Sequence, residues 1–162
     1  MMSRVKKGLI AGFAATLVVF VLEAVNQFGG PWFTPFPAIV AHMIGMDDNL
    51  AVGWVAHFLM GTVILGPLFG ILCPRLPTDT QATKGIAFAV GAFVIMMTGV
   101  FLFGGSRTFA GDGGFGVVAW LLITNVVFGI VLGLVYGELV TREKRAARAL
   151  AASGANSGIP AH

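Results

Sequence analysis

Four long apolar stretches, separated by short polar segments, constrain this chain more than any other feature. They run from Gly8 to Phe28, from Leu50 to Leu72, from Gly85 to Phe103 and from Phe115 to Val140. Each is close to the ~20 residues that a helix needs to cross the hydrocarbon of a bilayer. Only helices and closed barrels can span lipid, and the two-residue alternation of a barrel strand is not present. The sequence therefore predicts an all-α membrane protein with four transmembrane helices in a tight bundle.

The composition excludes an ordinary soluble domain. Apolar residues make up 57% of the 162 residues and charged residues only 10%, whereas a soluble domain carries about 25% charged residues. The net charge of +3 does not indicate nucleic-acid binding, because the basic residues form short clusters between apolar runs. We expect one transmembrane domain over residues 1–145, with the lipid bilayer as its surroundings. Residues 146–162, rich in Ala, Gly and Ser, are expected to form a flexible cytoplasmic tail.

The positions of Lys and Arg predict how the helices are oriented. Three basic residues precede the first span, two lie between the second and third spans, and four follow the fourth. Only Arg107 lies on the opposite side. Since basic residues are retained on the cytoplasmic side, both termini are expected to be cytoplasmic. No small-residue cleavage site follows Leu22, so we expect the first span to be retained rather than removed as a signal peptide.

The connection between the first two spans, residues 29–49, is long and partly apolar. Pro31, Pro35 and Pro37 prevent regular helix at its start, whereas the residues after them can form about two helical turns. Trp32 and Phe33 are side chains of the kind that anchor a segment at a membrane surface. We therefore predict a short interfacial helix in this external connection.

Glycines recur at four-residue spacing in three spans, which is the pattern of a glycine zipper. Such residues let helix backbones approach closely in lipid, where no hydrophobic effect drives helices together. The glycines predicted to mediate helix packing are Gly8, Gly12, Gly66, Gly70, Gly129, Gly133 and Gly137.

Weak internal similarity raises the alternative of two repeated helical hairpins. The start of the first span, Lys7–Ala11, resembles that of the third, Lys84–Ala87. The end of the second, Leu65–Gly70, resembles that of the fourth, Leu132–Gly137. Apolar helices also resemble one another by chance, so the sequence leaves duplication open.

Four polar side chains within the spans form the candidate site: Glu23, His57, Thr98 and Asn125. Measured from the span midpoints at ~1.5 Å per residue, all four lie roughly 3–9 Å towards the outer side. A charge at the centre of a spanning helix costs about 2.5–3.5 kcal/mol on insertion scales, so Glu23 requires a partner or a purpose. One interpretation is hydrogen bonding that fixes helix registry. The other is a proton- or cation-handling pair formed by Glu23 and His57.

Motifs for catalysis, phosphate binding or metal binding are not found in the sequence. His57, Met60, Met96 and Met97 offer ligands that copper(I) accepts, but methionine is also an ordinary filler of apolar cores. Cys73 is the only cysteine and excludes an intrachain disulfide. We expect no enzymatic activity, no metal and no cofactor.

A motif in the second span and its neighbours carries a family resemblance. It consists of Gly53-Trp54-x-x-His57-x-x-x-Gly61 followed by Gly66 and Gly70, with the loop prolines Pro35 and Pro37 and the ending Phe128–Gly137. With these features the chain resembles a family of small four-helix bacterial membrane proteins of unknown function, over most of residues 7–140. The resemblance implies a bacterial inner membrane and no particular activity.

These observations lead to two function hypotheses of different classes. The first is a non-catalytic accessory or assembly subunit, which binds other membrane protein subunits or a second copy of itself through helix packing. The alternative is a small proton- or cation-coupled transporter built around Glu23 and His57. An enzyme of lipid or quinone chemistry is a third, weaker class, because no suitable set of residues supports it.

Overall fold

A computed structural model describes residues 2–30, 32–46, 49–103 and 114–156 of the chain. Within these ranges every regular element is helical. Four helices are long and apolar enough to cross a membrane. The prediction of an all-α chain with four such helices is therefore confirmed.

Six α-helices follow one another along the chain. Their bounds are Arg4–Phe28 (α1), Phe36–Met43 (α2), Leu50–Leu59 (α3), Gly66–Leu72 (α4), Gln81–Phe103 (α5) and Gly114–Asn156 (α6). A π-helix, Met60–Leu65, joins α3 to α4, so residues 50–75 form one long helical unit that ends in the short turn Cys73–Arg75. Ser3 caps α1 by accepting a hydrogen bond from the Lys6 backbone N–H, at 3.2 Å.

Pro67 accounts for the π-helix, which the sequence analysis did not predict. A proline inside a helix has no N–H to donate, and its ring collides with the carbonyl group four residues earlier, here that of Val63. In the structure the backbone N–H of Gly66 bonds the carbonyl of Gly61, five residues back, in place of the usual four. The widened turn makes room for the proline while the helix continues.

The long helices lie side by side with α1 near the middle. One side of α1 packs on α4 and the π-helix, another side packs on α6, and α5 packs on α6. The short helix α2 packs on α3. We call the end of the bundle that carries Arg4, Arg75 and Arg142 the basic end, and the other the opposite end.

An aromatic cluster fills the core near the basic end. The ring of Phe69 makes edge contacts with Phe88 and with Tyr136, each at a centroid distance of 5.4 Å. The Tyr136 hydroxyl donates a hydrogen bond to the Gly70 carbonyl oxygen, at 3.2 Å. These contacts join α4, α5 and α6.

The predicted packing glycines lie where helices approach most closely. A Cβ added to Gly12 would lie 2.7 Å from the Cα of Gly66, and one added to Gly129 would lie 2.5 Å from the Gly85 carbonyl oxygen. Both distances are too short for real atoms, so only glycine fits. All seven predicted glycines have such a neighbour on another helix: Gly8, Gly12, Gly66, Gly70, Gly129, Gly133 and Gly137.

The pair α1 and α4 and the pair α5 and α6 pack through glycines in the same arrangement. Gly66 faces Gly8 and Gly70 faces the backbone of Arg4, while Gly129 faces Gly85 and Gly133 faces the backbone of Gln81. Gly66 and Gly70 therefore correspond to Gly129 and Gly133. The sequence comparison, which matched them to Gly133 and Gly137, is displaced by one helical turn.

Helix α6 is longer than the sequence analysis predicted. It contains 43 residues, about 64 Å at ~1.5 Å per residue, and it continues to Asn156, well past the predicted end of the span at Val140. Residues 146–156, predicted to belong to a flexible tail, are helical in the structure, and residues 157–162 lie outside the described residues, so the flexibility of the tail stays a prediction. Residues 142–152 are mainly Ala, Arg, Lys, Glu and Leu, which favour helix.

An ion pair between Lys7 and Glu143 ties this extension to the start of α1. The backbone N–H of Met2 donates to the same carboxylate. The hydrogen bonds from Lys7 and Met2 hold the pKa of the Glu143 carboxyl below its ordinary value.

Candidate functional site

Glu23 is the one acidic side chain that is buried among the described residues, with none of its surface exposed. It lies one to two turns from the end of α1, near the opposite end of the bundle. The helical repeat places it on the same face as Ala15, Val19 and Asn26, all of which are buried. This face packs against α6 and the segment that follows α1.

The two oxygens of the Glu23 carboxyl group differ in their partners. The indole N–H of Trp120, on α6, donates to Oε1 at 3.0 Å, and the backbone N–H of Phe36, the first residue of α2, faces the same carboxyl group. Oε2 is buried and has no hydrogen-bond partner in the described chain. The same holds for Oε1 of Gln27, one turn further along α1.

Asn26 fastens the connection between α1 and α2 to the bundle. Its side-chain amide donates to the Phe33 carbonyl at 2.8 Å, and its carbonyl oxygen accepts from the Phe33 backbone N–H at 3.2 Å. The ring of Phe33 stacks on Trp120, with a centroid distance of 5.5 Å and an angle of 16° between the planes. Trp120 therefore bonds Glu23 through its indole N–H and, through its stacked ring, holds the loop against the same site.

The short helix predicted in this connection is present as α2. Its residues Pro37, Ile39 and Ala41 are buried, and Gly53 of α3 lies against the Pro37 carbonyl, where a side chain would collide. Trp32, predicted to anchor the segment, is 65% exposed. Helix α2 is thus seated on α3, while the loop before it is seated on α1 and α6.

His57 is not paired with Glu23. Its ring makes an edge contact with the ring of Phe36, at a centroid distance of 5.0 Å, and no hydrogen bond or ion pair joins it to Glu23 in the described chain. Both side chains meet Phe36, but His57 meets its ring and Glu23 its backbone.

The other two predicted residues, Thr98 and Asn125, form hydrogen bonds within their own helices. Thr98 is exposed and donates to the Val94 carbonyl at 2.8 Å. Asn125 is half-buried and donates to the Leu121 carbonyl at 2.8 Å. In both side chains a donor is thus used within the same helix, as is common for Thr and Asn in helices. The structure thus does not join Glu23, His57, Thr98 and Asn125 by hydrogen bonds across the described helices.

Sequence reasoning missed Trp120, Gln27 and Phe33 as parts of the site. The signal for Trp120 was present, since a buried indole N–H in an apolar helix requires an acceptor. Nothing in the sequence singles out the backbone of Phe33, because its role follows from how the loop folds back.

The described residues contain no cluster of three or more His, Cys, Asp or Glu side chains that could hold a metal ion. Of the possible soft ligands, Met60 is exposed, whereas Met97 is buried beside Phe93 and Val100. The carboxyl group of Glu23 is buried and is contacted by N–H donors. Of the predicted polar residues, it is the one best placed to bind a ligand or a proton.

Comparisons with known proteins identify a family for this chain but no activity. Neither the curated proteins nor the solved structures contain a match to this chain. One family, described as a family of unknown function (DUF6789), matches residues 2–147. Because the match covers nearly the whole chain, the protein belongs to this family of unknown function.

Proposed function

We propose that the protein is a non-catalytic, multi-pass membrane protein that acts as an accessory or assembly subunit, by packing one of its helices against another membrane protein. The four apolar helices support the membrane location. The excess of Lys and Arg at the basic end supports a cytoplasmic position for both termini. The bacterial inner membrane is part of the proposal and rests on the family resemblance.

The outer face of α5 is the observation that carries the proposal. A Cβ added to Gly91 would meet nothing within 4 Å in the described structure, unlike one on any of the seven packing glycines. Ala87, Val94 and Thr98 lie at helical spacing from Gly91, and all are exposed. Among the long helices, α5 makes its main contact with α6 alone. This face therefore has the small residues of a helix contact, and none of the described residues packs against it at Gly91.

The cost of glycine supports a packing role for this face. Glycine inside a helix is less favourable than alanine by roughly 0.5–1 kcal/mol. In the same helix, Gly85 permits a close approach to Gly129. A further membrane helix lying along Ala87, Gly91 and Thr98 would gain the same close contact in lipid.

The transporter hypothesis is less well supported. It was built on a pair formed by Glu23 and His57, and the two side chains bind different groups. A shallow apolar pocket between α1 and the π-helix, lined by Leu9, Ile10, Phe13 and Thr62, has no charged lining residue that could bind an ion.

Co-purification in a mild detergent tests the proposal. Gly91→Leu adds a branched side chain to the free face of α5, so we expect the associated protein to be lost while the chain itself stays folded. Ala51→Leu is the matched control, because Ala51 is also exposed but lies on α3. Retention of the same partner by Gly91→Leu would contradict the proposal, and a second copy of the chain as the only partner would replace the accessory subunit by a homo-oligomer.

A further inference from the structure

Two buried oxygens on adjacent turns of α1 have no hydrogen-bond partner among the described residues. They are Oε2 of Glu23 and Oε1 of Gln27. Leaving a buried acceptor unpaired costs about 1–3 kcal/mol. Residues four apart in a helix have Cβ atoms about 5–6 Å apart, so a hydrogen bond between these two side chains is within reach. A single proton between the two oxygens would satisfy both.

The two oxygens of the Glu23 carboxyl group differ in their hydrogen bonds in the way that a protonated acid requires. An ionised carboxylate only accepts hydrogen bonds, at both oxygens, whereas a protonated carboxyl donates from one oxygen and accepts at the other. Here Oε1 accepts the indole N–H of Trp120 and the backbone N–H of Phe36 faces the same carboxyl group, while Oε2 has no hydrogen-bond partner in the described chain. A hydroxyl at Oε2 would find its acceptor in Gln27.

Among the described residues, no ion pair joins Glu23 to a basic side chain. Gln27 comes from α1, Trp120 from α6 and Phe36 from α2, and none of the three is ionisable. His57, on α3, contacts the ring of Phe36 and forms no ion pair with Glu23. A bare carboxylate in such apolar surroundings is costly. The N–H groups of Trp120 and Phe36, both directed at the carboxyl, would also repel a metal cation.

We propose that Glu23 and Gln27 form a proton-binding site within the bundle, in which Glu23 carries a proton on Oε2 and donates it to Oε1 of Gln27. The bound ligand is a single proton, held near the opposite end of the bundle beneath the loop that Asn26 fastens. The site does not depend on the proposed accessory function, since it lies on α1 rather than on the outer face of α5.

Infrared spectroscopy of the full chain in lipid nanodiscs tests the proton directly. The chain has three glutamates, Glu23, Glu138 and Glu143, and the last two are held in ion pairs with Arg142 and Lys7. Labelling glutamate side chains with carbon-13 should therefore shift one protonated-carboxyl C=O band at neutral pH. This band should be absent from Glu23→Gln and retained in the matched double variant Glu138→Gln/Glu143→Gln. A wild-type spectrum without a label-sensitive acid band would overturn the proposal, whether or not Glu23→Gln folds.

A second variant tests the acceptor. In Gln27→Leu the hydroxyl of Glu23 loses its partner, so the labelled acid band should remain but move in frequency. An unchanged frequency would show that Gln27 does not accept the proton. A wild-type spectrum in which Glu23 gives a carboxylate band in place of the acid band would show that Glu23 is ionised and would overturn the proposal.

Discussion

Gly129→Ala tests how far the contact between α5 and α6 depends on the lack of a side chain. The added methyl group would lie 2.5 Å from the Gly85 carbonyl oxygen and 2.8 Å from the Cβ of Ala89. Neither neighbour can rotate away, since one is backbone and the other a methyl group. Ordinary contacts begin near 3.4 Å, so the two helices must move apart by roughly 1 Å in a close-packed interface.

The expected magnitude combines two opposing effects. Overpacking of a well-packed contact costs about 1–3 kcal/mol, while alanine gains about 0.5–1 kcal/mol over glycine in a helix. We therefore expect Gly129→Ala to lose up to about 2.5 kcal/mol of unfolding free energy. Gly91→Ala is the matched control, because its methyl group meets nothing within 4 Å. It should be neutral or gain up to about 1 kcal/mol.

Reversible unfolding in mixed micelles, followed by circular dichroism as the fraction of denaturing detergent rises, measures the difference. The unfolding transition of Gly129→Ala should occur at a lower fraction of denaturing detergent than that of Gly91→Ala. Equal transitions for the two variants would refute the close approach of α5 and α6.

Three further predictions concern the ends of the bundle. Asn26→Ala leaves the N–H and carbonyl of Phe33 without their partners, so the unfolding free energy should fall by about 1–3 kcal/mol, and limited proteolysis should cut the loop first; an unchanged loop would contradict its attachment. Glu143→Gln should lower the thermal midpoint at neutral pH, and the difference from wild type should vanish as the pH falls below 4.5 through the lowered pKa, because protonation removes the same ion pair. Glu138→Gln, which breaks an exposed pair within one helix, is its control and should have the smaller effect. In a chain without the native cysteine, Thr34→Cys should react with an impermeant thiol reagent in intact cells and Thr80→Cys should not; the reverse pattern would invert the proposed orientation.

The four long helices could be predicted from the sequence because they depend on a local pattern, and the contact points predicted at glycines depend on a local pattern too. A run of about 20 apolar residues is long enough to span by itself, and glycine spacing marks a contact without naming the partner helix. The ends of the helices were harder to predict. Polar residues such as Arg4 and Gln81 continue a helix past its apolar part, and the Ala- and Arg-rich segment extends α6 to Asn156.

The candidate site was predicted only in part, because its contacts are non-local. Glu23 was identified from the cost of a carboxyl group in lipid, and its burial was correctly expected from the helix face. Its partner Trp120 is 97 positions away along the chain, so no spacing rule links them. Thr98 and Asn125 were placed in a shared layer from depth alone. Their hydrogen bonds to carbonyls of their own helices could not be foreseen from depth.

Site-specific photo-crosslinking in intact cells tests most directly the claim that α5 packs against another membrane protein. A photoreactive residue at Val94, on the same face as Gly91, is predicted to yield one discrete protein adduct of defined mass. The same residue at Val21, which is 60% exposed on α1, is predicted to yield only lipid adducts. Lipid adducts alone at Val94, or the same protein adduct at both positions, would contradict the account.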